Sequence, residues 1–436
     1  MSGLEIGITA IVLVLVMVYA GVHIGIGLGV ASFLCIWIVR DVEIAGKMLA
    51  LAMGEALADY DFGVAPLFML MGLLISASDV GKDSYEVANQ VFRRIRGGLG
   101  AATVAANAIF SAVTGTSVAA ASVFTKIAVP EMIKHGYNPR FAVGVVAGST
   151  VLGMLIPPSL LMILYGIITE TSIGHLLLAG IVPGLLLATA FGVVIWTMAT
   201  FFPRSVILRP PDPDAQLKLM GTGEMVLKMA PVTLLIIAVL GGLYGGIFTA
   251  TEAAGVGAAG ALIIALARRK LTWRGFWQIL VESGHITAAI AFLIISAHLY
   301  SRMISVTGIP NAIEGWITHL DLGFYGLLFI YLGIVLFLGT LLDSASTTLI
   351  AVPLFVPLLH TMGADPIWLG VVTIVAVEIG LLTPPLGITV FVVHSTLRDP
   401  SITVDDIFAG AMPFFFTTCL FLLLLVFVPS ISLALK

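Results

Sequence analysis

Long apolar runs recur along the whole chain, and they restrict its fold more than any other feature of the sequence. Many of them reach the roughly 17–25 residues that an α-helix needs to cross a bilayer. They are continuous, so they lack the alternation of apolar and polar residues that is typical of membrane β-barrels. Only 10% of the 436 residues are charged, whereas soluble domains contain about 25% charged residues. The sequence therefore predicts an all-α polytopic membrane protein.

Common catalytic and nucleotide-binding motifs are missing from the sequence. It contains no Walker loop, no GxSxG and no spacing of zinc ligands, so an ATP-driven pump is unsupported. Cys35 and Cys419 each lie alone in an apolar run, which indicates buried thiols rather than a disulfide framework. The functional groups must therefore come from features within the apolar runs themselves.

Two pairs of adjacent prolines interrupt apolar runs, at Pro157-Pro158 and at Pro384-Pro385. Proline has no N–H group and its ring clashes with the preceding turn, so a helix should break there. Irregular backbone at membrane depth persists only where protein or a water-filled cavity surrounds it. Carbonyl groups freed at a break suit a cation, and the N-terminus of the next half-helix suits an anion. The alternative is a kinked helix that packs against its neighbours.

The spacing between the two proline pairs recurs elsewhere in the chain. The same spacing separates Ser117 from Ser344 and several further Gly and Pro pairs. This agreement predicts an internal duplication, roughly 50–200 against 275–430. If the N-terminus lies outside, most Lys and Arg residues fall on the inner face, as the positive-inside rule expects. Corresponding helices then run in opposite directions, and such inverted-topology repeats are typical of secondary transporters.

Each half also contains a stretch rich in Gly, Ser and Thr, at 107–126 and at 336–349. Both stretches are too short and polar for an ordinary lipid-facing helix. We therefore predict a re-entrant helical hairpin in each half, with tips at 114–117 and near Gly339-Thr340. Close helix packing through small residues is the alternative.

The predicted organisation follows from the duplication. It comprises an N-terminal scaffold helix pair (1–45); repeat 1 (46–202) with interfacial helices, a re-entrant hairpin (about 98–128) and a broken helix (about 141–169); a cytoplasmic linker (203–223); scaffold helices (224–270); and repeat 2 (271–436) with a re-entrant hairpin (about 323–360) and a broken helix (about 366–397).

Two acidic residues lie within apolar surroundings, where ionisable side chains are functional candidates by default. Asp343 follows the predicted second tip and is a candidate cation ligand. Glu378 precedes the second proline pair and is a second candidate. For each residue, a structural hydrogen-bonding role is the alternative.

The order of these motifs resembles the large membrane subunit of tripartite ATP-independent periplasmic (TRAP) transporters. The resemblance rests on GTSVAAAS, IPPS and AGIVPG in the first half and on GTLLDSAS and TPPLG in the second. It implies an elevator-type secondary transporter of the ion transporter superfamily. It also implies import of an organic acid, such as a C4-dicarboxylate or sialic acid, across the bacterial inner membrane by a Na⁺ gradient.

The resemblance implies partners as well. A periplasmic substrate-binding protein would supply the acid, and a separate small membrane subunit of four helices would complete the complex. The chain would otherwise contact the lipid bilayer, with its N-terminus on the periplasmic side. No nucleic acid, organic cofactor or catalytic residue is expected.

The tips and breaks together predict one central site that holds two Na⁺ ions and an anionic substrate between them. Na⁺ is favoured over protons because the tips offer mainly hydroxyl and carbonyl groups. The predicted Na⁺-binding residues are Gly115, Thr116, Ser117, Ile156 and Pro157 at the first position, and Gly339, Thr340, Asp343, Thr383 and Pro384 at the second. The predicted substrate-binding residues are Thr114, Ser117, Pro158, Ser344 and Pro385.

Two other functional classes are weaker interpretations of the same sequence. An intramembrane enzyme is disfavoured because the sequence shows no HExxH, no facing aspartate pair and no Ser–Lys dyad. A passive channel accounts less well for inverted repeats with broken helices. Uptake into proteoliposomes separates the three classes: a transporter concentrates its substrate, a channel does not, and an enzyme changes it.

Overall fold

The chain is folded entirely into helices and their connections. The structure is a computed structural model that describes residues 2–58, 60–209, 220–320 and 322–435. Among these residues the only β-type pairing is an isolated bridge between Tyr137 and Ile207. The prediction of an all-α protein is therefore confirmed. The middle of the predicted linker 203–223, at 210–219, lies outside the described residues.

The helices are numbered here in chain order. They are α1 (Gly3–Tyr19), α2 (Ile24–Val39), α3 (Val42–Ala58), α4 (Val64–Ser76), α5 (Val80–Phe92), α6 (Gly98–Thr114), α7 (Ser117–Lys134), α8 (Pro139–Ser149), α9 (Leu152–Leu155), α10 (Leu160–Thr169), α11 (Ile173–Phe201), α12 (Pro203–Val206), α13 (Thr222–Ile236), α14 (Gly242–Tyr244), α15 (Ala250–Ala267), α16 (Trp273–Thr307), α17 (Ile309–His319), α18 (Phe324–Leu341), α19 (Ser344–Thr361), α20 (Pro366–Leu381), α21 (Ile388–Leu397) and α22 (Val404–Phe427).

Eight helical stretches among the described residues are long and apolar enough to cross a membrane. One of them, Pro139–Thr169, contains α8 to α10 and is almost wholly buried inside the protein. The others are α11, α13 with its continuation through α14, α15, α16, α18, α19 and α22. These eight stretches are those of a multi-pass membrane protein, as the apolar runs predict.

Glycines allow several helices to approach closely. Gly144 of α8 faces Gly410 of α22, and Gly339 of α18 faces Gly380 of α20. A Cβ atom on Gly380 would lie 2.7 Å from the Cα of Gly339. Small residues are common at such contacts because apolar side chains gain little by leaving lipid, and close backbone packing supplies the attraction instead. The second contact fixes α18 directly against α20.

Candidate functional site

The first predicted tip contains a tight turn at Gly115 and Thr116, between α6 and α7. Gly115 has φ +65°, a left-handed conformation that glycine adopts without steric cost. Its N–H group donates to the carbonyl of Ser111 at 3.0 Å. A Cβ atom at this position would overlap the carbonyl oxygen of Pro158. The turn therefore requires glycine both for its backbone conformation and for its contact with the first proline pair.

The first proline pair lies in a gap between α9, which ends at Leu155, and α10, which begins at Leu160. Ile156 is extended there, and its side chain and both prolines are buried. The bond between the two prolines is cis. The N–H group of Leu160 donates to the carbonyl of Gly115 at 3.2 Å. The break and the first tip are thus joined through their backbones.

A serine stabilises this break. The Ser159 hydroxyl accepts a hydrogen bond from the N–H group of Met162 at 3.2 Å and donates to the carbonyl of Met154. It therefore caps the N-terminus of α10 and also satisfies a carbonyl on the other side of the gap. Ser159 is not among the predicted site residues, although serine directly before an apolar helix is a common N-cap signal.

The second turn differs from its prediction. Helix α18 continues through Leu341, so Gly339 and Thr340 lie in its last turn and the turn itself is at Leu342 and Asp343. The Asp343 side chain is exposed and caps α19: one oxygen accepts from the N–H groups of the following residues, at 3.1 and 3.3 Å, and the other from a serine hydroxyl. The expectation that Asp343 is deeply buried is wrong, because an aspartate is most stable at the exposed start of a helix.

The second proline pair lies in the gap between α20 and α21. Thr383 lies just past the end of α20, and its hydroxyl donates to the carbonyl of Ile379 in the last turn of that helix at 2.7 Å. Pro384 and Pro385 are joined by a cis bond and are exposed, in contrast to the buried first pair. Gly387, with φ +54°, starts α21. The two breaks therefore share a sequence pattern but differ in their surroundings.

Among the hydroxyl groups predicted to bind ions or substrate, several bond only to their own helix. Thr114 donates to Phe110 at 2.9 Å, and Thr340 donates to Phe337 at 2.7 Å, in each case to the carbonyl. No hydrogen bond joins Thr340 to Thr383 in the described part of the chain. Each donated proton leaves the lone pairs of its hydroxyl oxygen available to a cation.

A fully buried carboxylate connects the two halves of the chain. The Ser117 hydroxyl donates to Oε2 of Glu378 at 2.9 Å, across a separation of 261 residues. Glu378 is only 1% exposed, and its Oε1 has no hydrogen-bond partner among the described residues. A buried carboxyl oxygen without a hydrogen-bond partner is costly. The Ser117–Glu378 pair is therefore an unusual polar feature of this region.

The first break also meets the second hairpin. A small cavity of about 60 Å³ is lined by Met154 and Leu160 on one side and by Ser344 and Ala345, at the start of α19, on the other. Ser344 is thereby brought close to the first break. The residues that flank the first break and the N-terminus of α19 therefore border one space.

Further polar residues support the first hairpin from within. The Asn107 amide donates to the Ser149 hydroxyl at 2.8 Å, and both residues are fully buried. This bond joins α6 to α8, on either side of α7 in the sequence. In the sequence, Asn107 is recognisable only as the start of the polar stretch 107–126. Its partner could not be identified, because pairing between distant helices leaves no local pattern.

Comparison with known proteins identifies a family. The family model described as "Tripartite ATP-independent periplasmic transporter, DctM component" matches residues 11–431. The C4-dicarboxylate TRAP transporter large permease protein DctM of Pseudomonas aeruginosa is 34% identical over 395 residues, which cover 89% of each chain. The sialic acid TRAP transporter large permease protein SiaM of Vibrio cholerae is 29% identical over 371 residues, covering 85% of this chain and 84% of the relative.

The fold is similar to that of a solved transporter. The crystal structure of the YdaH transporter of Alcanivorax borkumensis superposes with a TM-score of 0.66 and covers 91% of both chains, at 15% sequence identity. At this identity the similarity concerns the fold alone. The family match, in contrast, extends over almost the entire chain. The resemblance seen in the motifs is confirmed: the chain belongs to the DctM family, the large membrane permeases of TRAP transporters.

Proposed function

We propose that this permease imports an organic acid together with Na⁺ across the bacterial inner membrane, with its N-terminus on the periplasmic side. The observation that carries the proposal is the hydrogen bond from Leu160 to Gly115, which joins a helix break to a hairpin tip. A backbone arrangement of this kind at membrane depth needs a polar occupant or buried surroundings. Discontinuous helices are where secondary transporters bind their ions.

The first Na⁺ position uses the hydroxyl and carbonyl groups around the first tip. Because Ser117 donates its proton to Glu378, the lone pairs of its oxygen can point toward a cation. The carbonyls of Gly115 and Ile156 supply further oxygen ligands. The negative charge of an ionised Glu378, which is unfavourable in isolation, would be partly balanced by the bound ion. Thr116 and Pro157 complete the wall of this position.

The second Na⁺ position lies between Gly339, Thr340, Thr383 and Pro384. The Thr340 hydroxyl donates within α18 and the Thr383 hydroxyl donates to the end of α20, so the lone pairs of both oxygens remain open to a cation. The close contact of α18 with α20 holds the two helix ends together. Asp343 contributes by capping α19 rather than through direct contact with the ion.

The substrate carboxylate would bind at the N-termini of half-helices, which carry partial positive charge. Helix α10 begins after Pro158, α19 begins at Ser344, and α21 begins after Pro385. Thr114 and Ser117 would add hydroxyl groups at the first tip. The relatives from P. aeruginosa and V. cholerae are named for C4-dicarboxylates and for sialic acid, and both ligands are carboxylic acids.

The transport cycle is proposed to follow an elevator mechanism based on two inverted repeats, in which both hairpins and both broken helices move together against the remaining helices. A periplasmic binding protein and a small four-helix membrane subunit would be its partners. The similarity to a solved transporter and the repeated order of hairpin and broken helix support this mechanism.

Reconstituted transport tests the proposal. The permease is placed in proteoliposomes with the small subunit and the loaded binding protein, and labelled C4-dicarboxylate or sialic acid is supplied under an inward Na⁺ or K⁺ gradient. We expect accumulation above equilibrium under Na⁺ alone, with the substrate recovered unchanged. Equal accumulation under both cations contradicts Na⁺ coupling. Equilibration without accumulation indicates a channel, and a chemically altered substrate indicates an enzyme.

A further inference from the structure

An open apolar groove of about 910 Å³ runs between α6 and α11. On α6 its walls include Ala101, Ala105 and Ala108, which follow one face of the helix. On α11 they include Gly192 and Trp196, again at a helical spacing. The small residues create the concavity, and the Trp196 side chain is 46% exposed at its edge.

The length of this groove suits a lipid chain. The lining residues extend from 101 to 109 on α6 and from 185 to 200 on α11. At 1.5 Å per residue these stretches measure roughly 12 and 22 Å. The hydrocarbon core of one leaflet is about 15 Å thick. The groove therefore covers about the depth of a single leaflet.

One end of the groove is basic. Arg94 and Arg96 lie in the connection between α5 and α6, line the groove and are exposed. Neither forms an ion pair with any described residue, whereas Arg268, on the C-terminal side of α15, pairs with Asp83. The hydroxyl of Thr200, at the same end, is buried and has no hydrogen-bond partner among the described residues. This end thus offers two exposed guanidinium groups that form no ion pair with the described residues.

The arginines and the end of α11 are held together by close packing. A Cβ atom on Gly97, directly after Arg96, would lie 2.9 Å from the Ile195 side chain and 3.1 Å from that of Ala199. The basic connection therefore sits against the last turns of α11. Lys and Arg residues accumulate on the inner side of membrane proteins, which places this end of the groove in the inner leaflet.

We propose that this groove is a binding site for an anionic phospholipid of the inner leaflet. The phosphate is bound by Arg94 and Arg96, and one acyl chain lies between α6 and α11. Guanidinium groups bind phosphate through paired hydrogen bonds, and basic pockets between membrane helices bind anionic head groups. A transmembrane helix of another protein would fill the apolar part but would need an acid at this depth to match the arginines. Charge complementarity therefore favours the lipid.

Lipid retention tests the site. The permease is purified in detergent, incubated with phosphatidylglycerol or zwitterionic phosphatidylethanolamine, and analysed by native mass spectrometry. We expect R94Q/R96Q to lower retention of phosphatidylglycerol, by roughly fivefold for each arginine near an anionic surface, and to leave phosphatidylethanolamine unchanged. R274Q, at an exposed arginine outside the groove, is the matched control and should behave as wild type. Equal retention by R94Q/R96Q and wild type overturns the proposal.

A second measurement locates the acyl chain. Phosphatidylglycerol with brominated chains should quench the fluorescence of Trp196, seen as the part of the quenching that W196F removes. Ala105→Trp would narrow the groove while both arginines remain. Combined with W196F, it should reduce retention of phosphatidylglycerol relative to W196F alone. Quenching of equal size by brominated phosphatidylethanolamine would show a non-selective lipid contact and overturn the proposal. So would a cross-link from Ala105→Cys to the small subunit in the assembled complex, or displacement of the lipid by inorganic phosphate alone.

Discussion

Ser117 illustrates what the sequence could and could not predict about a single residue. Its place in a Gly-Thr-Ser turn was enough to predict a polar group at a hairpin tip. Glu378 was a candidate because it is an acid within an apolar run. Their hydrogen bond could not be predicted, because it joins the two halves of the chain and depends on the packing of whole helices. Only the fold reveals that one residue orients the other.

The Ser117–Glu378 pair predicts a non-additive effect on sodium affinity. Ser117→Ala removes the hydroxyl, and Glu378→Gln replaces the carboxyl group that accepts its hydrogen bond by a neutral amide, so each should raise the half-saturating Na⁺ concentration. If Na⁺ binding ionises Glu378, the hydrogen bond to the charged group contributes about 1.5–3 kcal/mol, which corresponds to roughly 10-fold or more. Because both changes weaken the same interaction, the double variant should be little worse than either single variant.

Thr418→Ala is the control for these three variants. It removes a buried hydroxyl that donates within α22, and its position in the sequence is distant from the proposed ion-binding residues. It should leave the sodium dependence unchanged. Additive effects of Ser117→Ala and Glu378→Gln would mean that the two residues act independently. A normal sodium dependence in both single variants would show that neither residue belongs to the Na⁺ site.

The role of Gly115 can be tested against a second glycine of the same chain that has the same backbone conformation. Gly115 and Gly246 have nearly the same backbone angle, with φ +65° and φ +66°. A Cβ atom at Gly246 would meet nothing within 4 Å, whereas one at Gly115 would overlap Pro158. Gly246→Ala should therefore show only backbone strain, about 1–2 kcal/mol, and Gly115→Ala should lose transport as well as more stability. Melting temperature in detergent and uptake in proteoliposomes provide the comparison, and equal effects of the two changes would show that contact with the break is unimportant.

Helices and their breaks were the most predictable part of this chain. Both gaps lie at a pair of adjacent prolines, which removes two donors in succession, whereas the single prolines Pro130 and Pro183 lie inside continuous helices. The Gly-Thr pair predicts the second turn a few residues too early, because the residue that fixes the turn is Asp343, which caps α19. Burial was not predictable at all: two breaks with the same pattern have different neighbours.

Replacing each proline pair by alanine should have unequal effects on stability. Alanine restores the missing N–H groups, so a continuous helix can form and its carbonyls are no longer free for Na⁺. At Pro384 and Pro385, which are exposed, we expect weaker sodium affinity with little loss of folding. At Pro157 and Pro158, which are buried against Gly115, we expect both weaker affinity and a lower melting temperature. Unchanged sodium half-saturation in both variants would reduce the breaks to packing kinks.

The assembly of the complete transporter cannot be inferred from helix packing within one subunit. Family membership follows from motif order and is confirmed by the match over residues 11–431. Substrate choice and coupling remain proposals, since relatives of similar identity are named for different acids. The inverted arrangement of the halves is likewise a prediction from charge and spacing.

Partner dependence follows if the binding protein supplies the substrate. The permease alone should show almost no uptake at micromolar substrate, and activity should appear only when the small subunit and the loaded binding protein are both present. The measurement is initial uptake with each component omitted in turn, with equal amounts of permease confirmed in the vesicles. Rapid uptake of free substrate by the permease alone would identify a conventional carrier.

The unequal exposure of the two breaks has a consequence for where water reaches the protein. Freed backbone groups and a charged carboxylate are unfavourable in hydrocarbon, so we expect the exposed surface at Pro384 and Pro385 to border an aqueous crevice. A cysteine at Leu386, which is 44% exposed, should react with a membrane-impermeant maleimide from one side only, whereas one at buried Ile156 should be protected. If the halves exchange roles during transport, Na⁺ and substrate will shift the two labelling rates in opposite directions. The ratio of the two labelling rates then reports the side of the membrane to which the protein is open.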